Sequence, residues 1–247
     1  MYIFRTRFKK EIVCEFLPPR RKSSRVIILC GGMPSYPERK ELMFFLAQKG
    51  FWVFNPRYRG SWESDGSFLK ISPHQDILNI IDELPKGFKS LWDGKIYKIN
   101  PTKIYLIGSS FGGPAVLLAS QDPRITKVMT FTPVINWTVE SKEEPIDWLG
   151  EFTKIAFGNG YRFKQKDWNK LKSGKFYNPM AIADKIDGKK IFIIATKDDE
   201  IVLPEPTRKF AKIIKCEFFS LKKGGHLSMS NLMKFKFYKK FQDFIKK

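Results

Sequence analysis

Four short runs in this chain are almost wholly apolar: Val26-Ile-Ile-Leu-Cys30, Phe51-Trp-Val-Phe54, Ile104-Tyr-Leu-Ile107 and Ile191-Phe-Ile-Ile-Ala195. Strand-length runs without polar alternation fit strands buried on both faces. Helical patterns lie between and after them. Residues 38–49 are amphipathic and end at Gly50. Residues 74–84 start beside Pro73 and place Ile77, Ile80, Ile81 and Leu84 at helical spacing. Residues 206–215 and 230–246 read as two further helices, residues 125–132 and 216–221 as two further strands, and residues 2–17 as one or two strands of an antiparallel edge pair. This alternation predicts an α/β chain: a doubly wound, mostly parallel central sheet with helices on both faces. A length of 247 residues suits one domain over 1–247. Residues 134–180 break the alternation, being aromatic and charged with no clear strand. They read as a small helical, lid-like excursion within the domain.

The apolar run Ile104–Ile107 leads straight into Gly108-Ser-Ser-Phe-Gly112, and an aliphatic helical segment follows. This is G-x-S-x-G between a strand and a helix, the context that gives the pattern meaning. A chain that reverses sharply from strand to helix forces the residue at the turn, Ser110, into a strained backbone conformation. Side chains two positions before and after it would collide. Gly113 lets the helix approach the sheet, and Pro114 is tolerated in a first turn. Ser110 Oγ is then held at a strand end, near a helix N-terminus that favours negative charge.

Ligands in such sheets bind beyond the C-terminal strand ends. Four segments fall there: Gly31-Gly32-Met33, Ser110, Asp198-Asp199 and Gly225-His226. Serine needs an adjacent base, and histidine is the usual one. There are two histidines. His74 reads as an exposed residue at a helix start, whereas His226 follows Gly224-Gly225 just past a strand. The imidazole in turn needs a carboxylate to fix its tautomer. Neighbours on an extended chain point opposite ways, so at most one of Asp198 and Asp199 faces His226, and the other is a turn former or surface charge. An oxyanion would be held by the N–H of Phe111 and by one in the Gly32-Met33 turn, taken as that of Met33.

With 43% apolar and 15% aromatic residues the chain is not disordered. No apolar stretch is long enough to cross a bilayer. Met1–Lys10 lacks an apolar block with a cleavage site, so no leader is expected. Three cysteines without C-x-x-C spacing suit a reducing compartment, and a cytoplasmic location is expected, with neither a disulfide framework nor a zinc site. The net charge of +20 is spread along the chain and accompanies no nucleic-acid-binding motif. No specific nucleic-acid partner is expected from it, although salt-sensitive adhesion to polyanions is. No metal or organic cofactor is implied, and the oligomeric state is left open.

Ser110, an acid at 198 or 199, then His226 is the chain order of the α/β-hydrolase superfamily, which the sequence resembles over nearly its whole length. Within it the chain is similar to single-domain serine hydrolases related to the catalytic domain of prolyl oligopeptidases and to dienelactone hydrolase-like esterases. Arg57-Tyr-Arg-Gly-Ser61 with Gly66 resembles that group's loop after the second parallel strand, and Tyr177-Asn178-Pro179 its approach to the acid-bearing strand. The resemblance implies an α/β-hydrolase fold and a catalytic triad of Ser110, His226 and Asp198. The acid is carried to Asp198 because those peptidase domains use the first of a similar Asp-Asp pair, and Asp199 is the reserve. Two departures stand out. Cys30 takes the place of the histidine in a His-Gly-Gly oxyanion loop, and no substrate-gating propeller is seen. The implied activity is carboxylesterase-like cleavage of a small-molecule ester or related acyl bond through an acyl-enzyme, with residues 134–180 forming an apolar pocket wall. The alternatives are a peptidase or acyltransferase with the same triad, or a non-catalytic basic binding protein on this fold.

Overall fold

A computed structural model describes residues 2–247. The strands are β1 (Phe4–Phe8), β2 (Ile12–Leu17), β3 (Arg25–Cys30), β4 (Trp52–Pro56), β5 (Phe88–Lys89), β6 (Ile96–Tyr97), β7 (Lys103–Ser109), β8 (Ile125–Phe131), β9 (Ile191–Thr196) and β10 (Glu217–Leu221). The α-helices are α1 (Lys40–Gln48), α2 (His74–Glu83), α3 (Gly112–Ala119), α4 (Ile146–Phe157), α5 (Gln165–Trp168), α6 (Pro204–Ile214) and α7 (Phe235–Lys246).

Eight strands form one sheet in the order β1-β2-β4-β3-β7-β8-β9-β10. β1 pairs antiparallel with β2, and β2 with β4; every later pairing in the sheet is parallel. The four apolar runs are the central strands, and the reason lies in their two-faced burial. Val26, Ile28 and Cys30 join the core with α2, α3 and α6, while Ile27 and Leu29 join the core with α1 and α7. A strand covered on both sides has no position for a polar residue. The sheet is therefore doubly wound, as the alternation predicts. The short β5–β6 hairpin has no counterpart in the sequence reading, since two-residue strands carry too little pattern to detect.

Residues 134–180 lie between β8 and β9 and contain α4, α5 and several 3₁₀ turns. α4 turns Leu149 and Thr153 inward, while Trp148, Phe152 and Ile155 face out. Trp168 is fully buried and donates Nε1–H to the Ile146 carbonyl at 3.0 Å, tying the segment together. The glycine loops, the serine turn, the paired aspartates and His226 all follow the C-terminal ends of β3, β7, β9 and β10, on the one edge that parallel strands share.

Candidate active site

Ser110 occupies the turn between β7 and α3 with φ +51°, a left-handed conformation that strains a residue with a Cβ. The turn is held by its backbone. Ser110 N–H donates to the Phe131 carbonyl at 3.1 Å, and the Ser110 carbonyl accepts from Gly113 and Val134 at 2.9 and 3.1 Å. The glycines are required by contact. A Cβ on Gly108 would lie 2.6 Å from the Gly112 carbonyl oxygen, and one on Gly112 would collide with the Cys30 carbonyl. One on Gly113 would collide with Pro133. Cys30, in the position where the resemblance expects histidine, is fully buried, and burial pushes its thiol pKa up, so it stays neutral.

The loop after β3 lies against the serine: a Cβ on Gly32 would sit 3.1 Å from Ser110 Cβ. Among the described residues the N–H groups of Met33 and Phe111 have no hydrogen-bond partner, so both remain available to a ligand. Tyr177, read from the sequence only as part of the Tyr177-Asn178-Pro179 motif, secures this corner. Tyr177 O–H donates to the Phe111 carbonyl at 2.6 Å, and the Tyr177 backbone is itself left-handed at φ +52°.

His226 is held in a loop clamped on both sides. Thr196 Oγ1–H donates to the Gly225 carbonyl at 2.6 Å, and Thr132 Oγ1–H to the Leu227 carbonyl at 2.9 Å. Both threonines are buried at the ends of apolar strands. A hydroxyl ending such an apolar strand is the sequence signal for these two contacts.

The two aspartates divide differently from the expectation. Asp198, carried to the acid role by resemblance, does not meet His226. Its two carboxylate oxygens accept from the N–H groups of Gly224 and Gly225 at 3.1 and 3.0 Å. These amides hold its pKa below the ordinary aspartate value. Asp199, the reserve, faces His226 instead: its Oδ2 lies 2.9 Å from Nδ1 and its Oδ1 3.2 Å from the same atom. Asp199 Oδ1 also accepts from Ile201 and Val202 N–H at 3.0 and 2.9 Å, and the residue is 3% exposed. The physical reason is the turn at Lys197-Asp198 that follows β9. It presents the first carboxylate to the glycine amides and the second to the imidazole.

His74 is not exposed as expected. It is half-buried, with Nδ1 2.7 Å from Ser72 Oγ and Nε2 2.7 Å from Gln75 Nε2, and burial pushes its pKa down to about 4.

Ser110 and His226 line one cleft of about 440 Å³, together with Met33, Arg39, Phe152 and Phe157. A second, narrow cavity of about 50 Å³ leaves Ser110 beneath residues 134–149, with Val134, Trp137, Ile146 and Leu149 among its apolar walls. Glu144 borders both spaces. Burial pushes its carboxyl pKa up, with His226 opposing and Asp199 adding to the shift. Among the described residues no three His, Cys, Asp or Glu side chains converge as a metal site, and no helix is long and apolar enough to cross a membrane.

A left-handed serine between a parallel strand and a buried helix, on a sheet of this order, defines an α/β-hydrolase. The sequence model of the prolyl oligopeptidase family matches residues 38–247, and the chain belongs to that family. No curated protein matches it in sequence. Among solved structures, a Pyrococcus furiosus esterase superposes with a TM-score of 0.69 at 17% identity, covering 99% of this chain and 89% of the esterase. Est1E from Butyrivibrio proteoclasticus, solved with ferulic acid bound, superposes at 0.66 and 17% identity, covering 98% of this chain and 99% of that one. The acylaminoacyl peptidase of Pyrococcus horikoshii gives 0.66 at 19% identity; all of this chain is covered, but only 42% of the peptidase.

Proposed function

We propose that the protein is a serine hydrolase that cleaves a carboxylic ester through an acyl-enzyme on Ser110. The observation that carries this reading is the strained Ser110 sharing one cleft with a histidine whose Nδ1 rests on a buried carboxylate. Ser110 Oγ attacks the carbonyl carbon, and His226 Nε2 takes its proton. Asp199 fixes the tautomer by accepting from Nδ1–H and stabilises the imidazolium as it forms. The N–H groups of Phe111 and Met33 receive the oxyanion. His226 then returns the proton to the leaving oxygen, and water attacking the acyl-enzyme completes the cycle. Ser110 and His226 line the same cleft, and the transfer requires His226 Nε2 within hydrogen-bond reach of Ser110 Oγ in the substrate complex.

The narrow cavity takes a short acyl group, and the wide cleft takes the leaving half. Residues 134–180 act as a lid, supplying walls to both. Family membership supports a second reading, in which the bond cleaved is a peptide amide.

The test uses a fluorophosphonate probe and paired 4-nitrophenyl butyrate and N-acyl amino acid 4-nitroanilide substrates. The probe labels Ser110 and not Ser110→Ala, and the variant loses about 10⁶ in kcat on the ester. Turnover of the ester but not the anilide supports the esterase reading, and the reverse supports the peptidase reading. Absence of both labelling and turnover overturns the serine-hydrolase reading.

A further inference from the structure

The arginines withdrawn from solvent near this site are treated unequally. Arg57 lies 2.9 Å from Glu15, and Arg59 pairs with both Glu11 and Asp76. Arg39 is half-buried in the wall of the Ser110–His226 cleft, yet among the described residues no carboxylate lies within 4 Å of it. Its Nη1 donates to the carbonyls of Tyr36 and Glu38 at 3.1 and 2.6 Å. Nε and Nη2 have no partner among the described residues. The position of the guanidinium is defined by the oxyanion loop: a Cβ on Gly31 would sit 3.2 Å from Nη2, and the next residue, Gly32, abuts Ser110. Burial also pulls the Arg39 pKa below the usual arginine value, and arginine remains charged regardless.

A half-buried cation with free donors and no internal counter-ion is stabilised by an anion that arrives from outside. A planar guanidinium matches a carboxylate through paired N–H groups. Glu144 gives the cleft a direction, because it borders the cleft from the residue 134–180 side and repels an anion there. The cation and the carboxylate thus belong to different walls, with Ser110 in the same cavity. We propose that Arg39 is a specificity-determining residue, and that the substrate carries a free carboxylate on the leaving half that occupies the wide cleft. O-acyl hydroxy acids, whose ester bond releases an alcohol or phenol bearing a free carboxylate, are the chemical class that meets this description. The inference rests on the serine-hydrolase reading above.

The experiment compares kcat/KM for phenyl butyrate and 4-carboxyphenyl butyrate, which share the acyl group and differ by the charge on the leaving half. The wild type favours the carboxylate ester by about tenfold or more, the scale of a hydrogen-bonded charge pair. Arg39→Met keeps the aliphatic stem and brings the ratio to about one, and Arg39→Lys retains part of the preference. Fluorophosphonate labelling of Ser110 in each variant shows that the fold and nucleophile survive. If wild type turns over the neutral ester with no preference for the charged one, or Arg39→Met keeps the preference, the Arg39 assignment fails alone. If neither ester is cleaved and Ser110 does not label, the hydrolase reading fails and the assignment falls with it.

Discussion

The serine turn and the acid–histidine turns sit on one sheet edge but are built in opposite ways. The serine turn is fixed by exclusion. Gly108, Gly112 and Gly113 are there because a Cβ would strike the backbone or a proline ring, and Ser110 has no other path. The acid–histidine turns are fixed by attraction. Asp198 holds two amides, Thr132 and Thr196 hold the carbonyls on either side of His226, and Asp199 holds the imidazole. Exclusion leaves a mark on the sequence, since only glycine satisfies it. Attraction is satisfied by several residue types, so its assignment is less readable.

The sharpest way to break this contrast is to exchange the roles of the neighbouring aspartates. Asp199→Asn lowers kcat by about 10⁴-fold on a short ester, because an amide beneath Nδ1 favours the wrong tautomer. Its stability stays close to wild type, since Asn still accepts from Ile201 and Val202. Steady-state rates alongside thermal melting make the check, and a loss of tenfold or less rejects Asp199 as the acid.

On the exclusion side, Gly112→Ala drives a methyl into the Cys30 carbonyl, a backbone atom in a central strand. Destabilisation of at least about 3 kcal/mol is expected, the upper range for overpacking. Urea unfolding measures it directly. A variant within 1 kcal/mol of wild type by the same measurement would mean that β3 can shift, and that the turn is less constrained than its contacts indicate.

Much of the fold was legible because the central strands are buried on both faces. An unbroken run such as Val26–Cys30 has few other homes, and α2 shows its inward Ile77, Ile80 and Ile81 plainly. The site was legible where sterics or scarcity spoke: the glycines flanked Ser110, and His226 was one of two histidines. What escaped was decided by side-chain direction and by distant partners. The choice between Asp198 and Asp199 depends on how the chain twists after Thr196, which adjacent identical residues cannot reveal. Arg39 and Glu144 reach the site from elements far away in sequence, and nothing in their local pattern separates them from surface residues, while the motif around Tyr177 did not show that its hydroxyl reaches the Phe111 carbonyl.

The smallest effect expected here belongs to Asp198, and it separates holding a turn from taking part in chemistry. Asp198→Ala frees the Gly224 and Gly225 amides, so the His226 loop loosens without losing its carboxylate partner. A fall in kcat of about ten- to a hundredfold is expected, the scale on which a displaced catalytic group slows a reaction. The pH dependence of stability gives an independent reading. The amides hold the folded-state pKa of Asp198 below its unfolded value of 3.8. A depressed carboxylate pKa contributes stability that is present above the unfolded value and lost as pH falls through the folded one. Wild type is therefore more stable than Asp198→Ala at neutral pH, and the two melting curves converge below pH 3.8. If the difference persists undiminished into acid, Asp198 stabilises the turn by packing and not by charge. If its loss of activity equals that of Asp199→Asn, the two carboxylates act as one unit and the division between them is wrong.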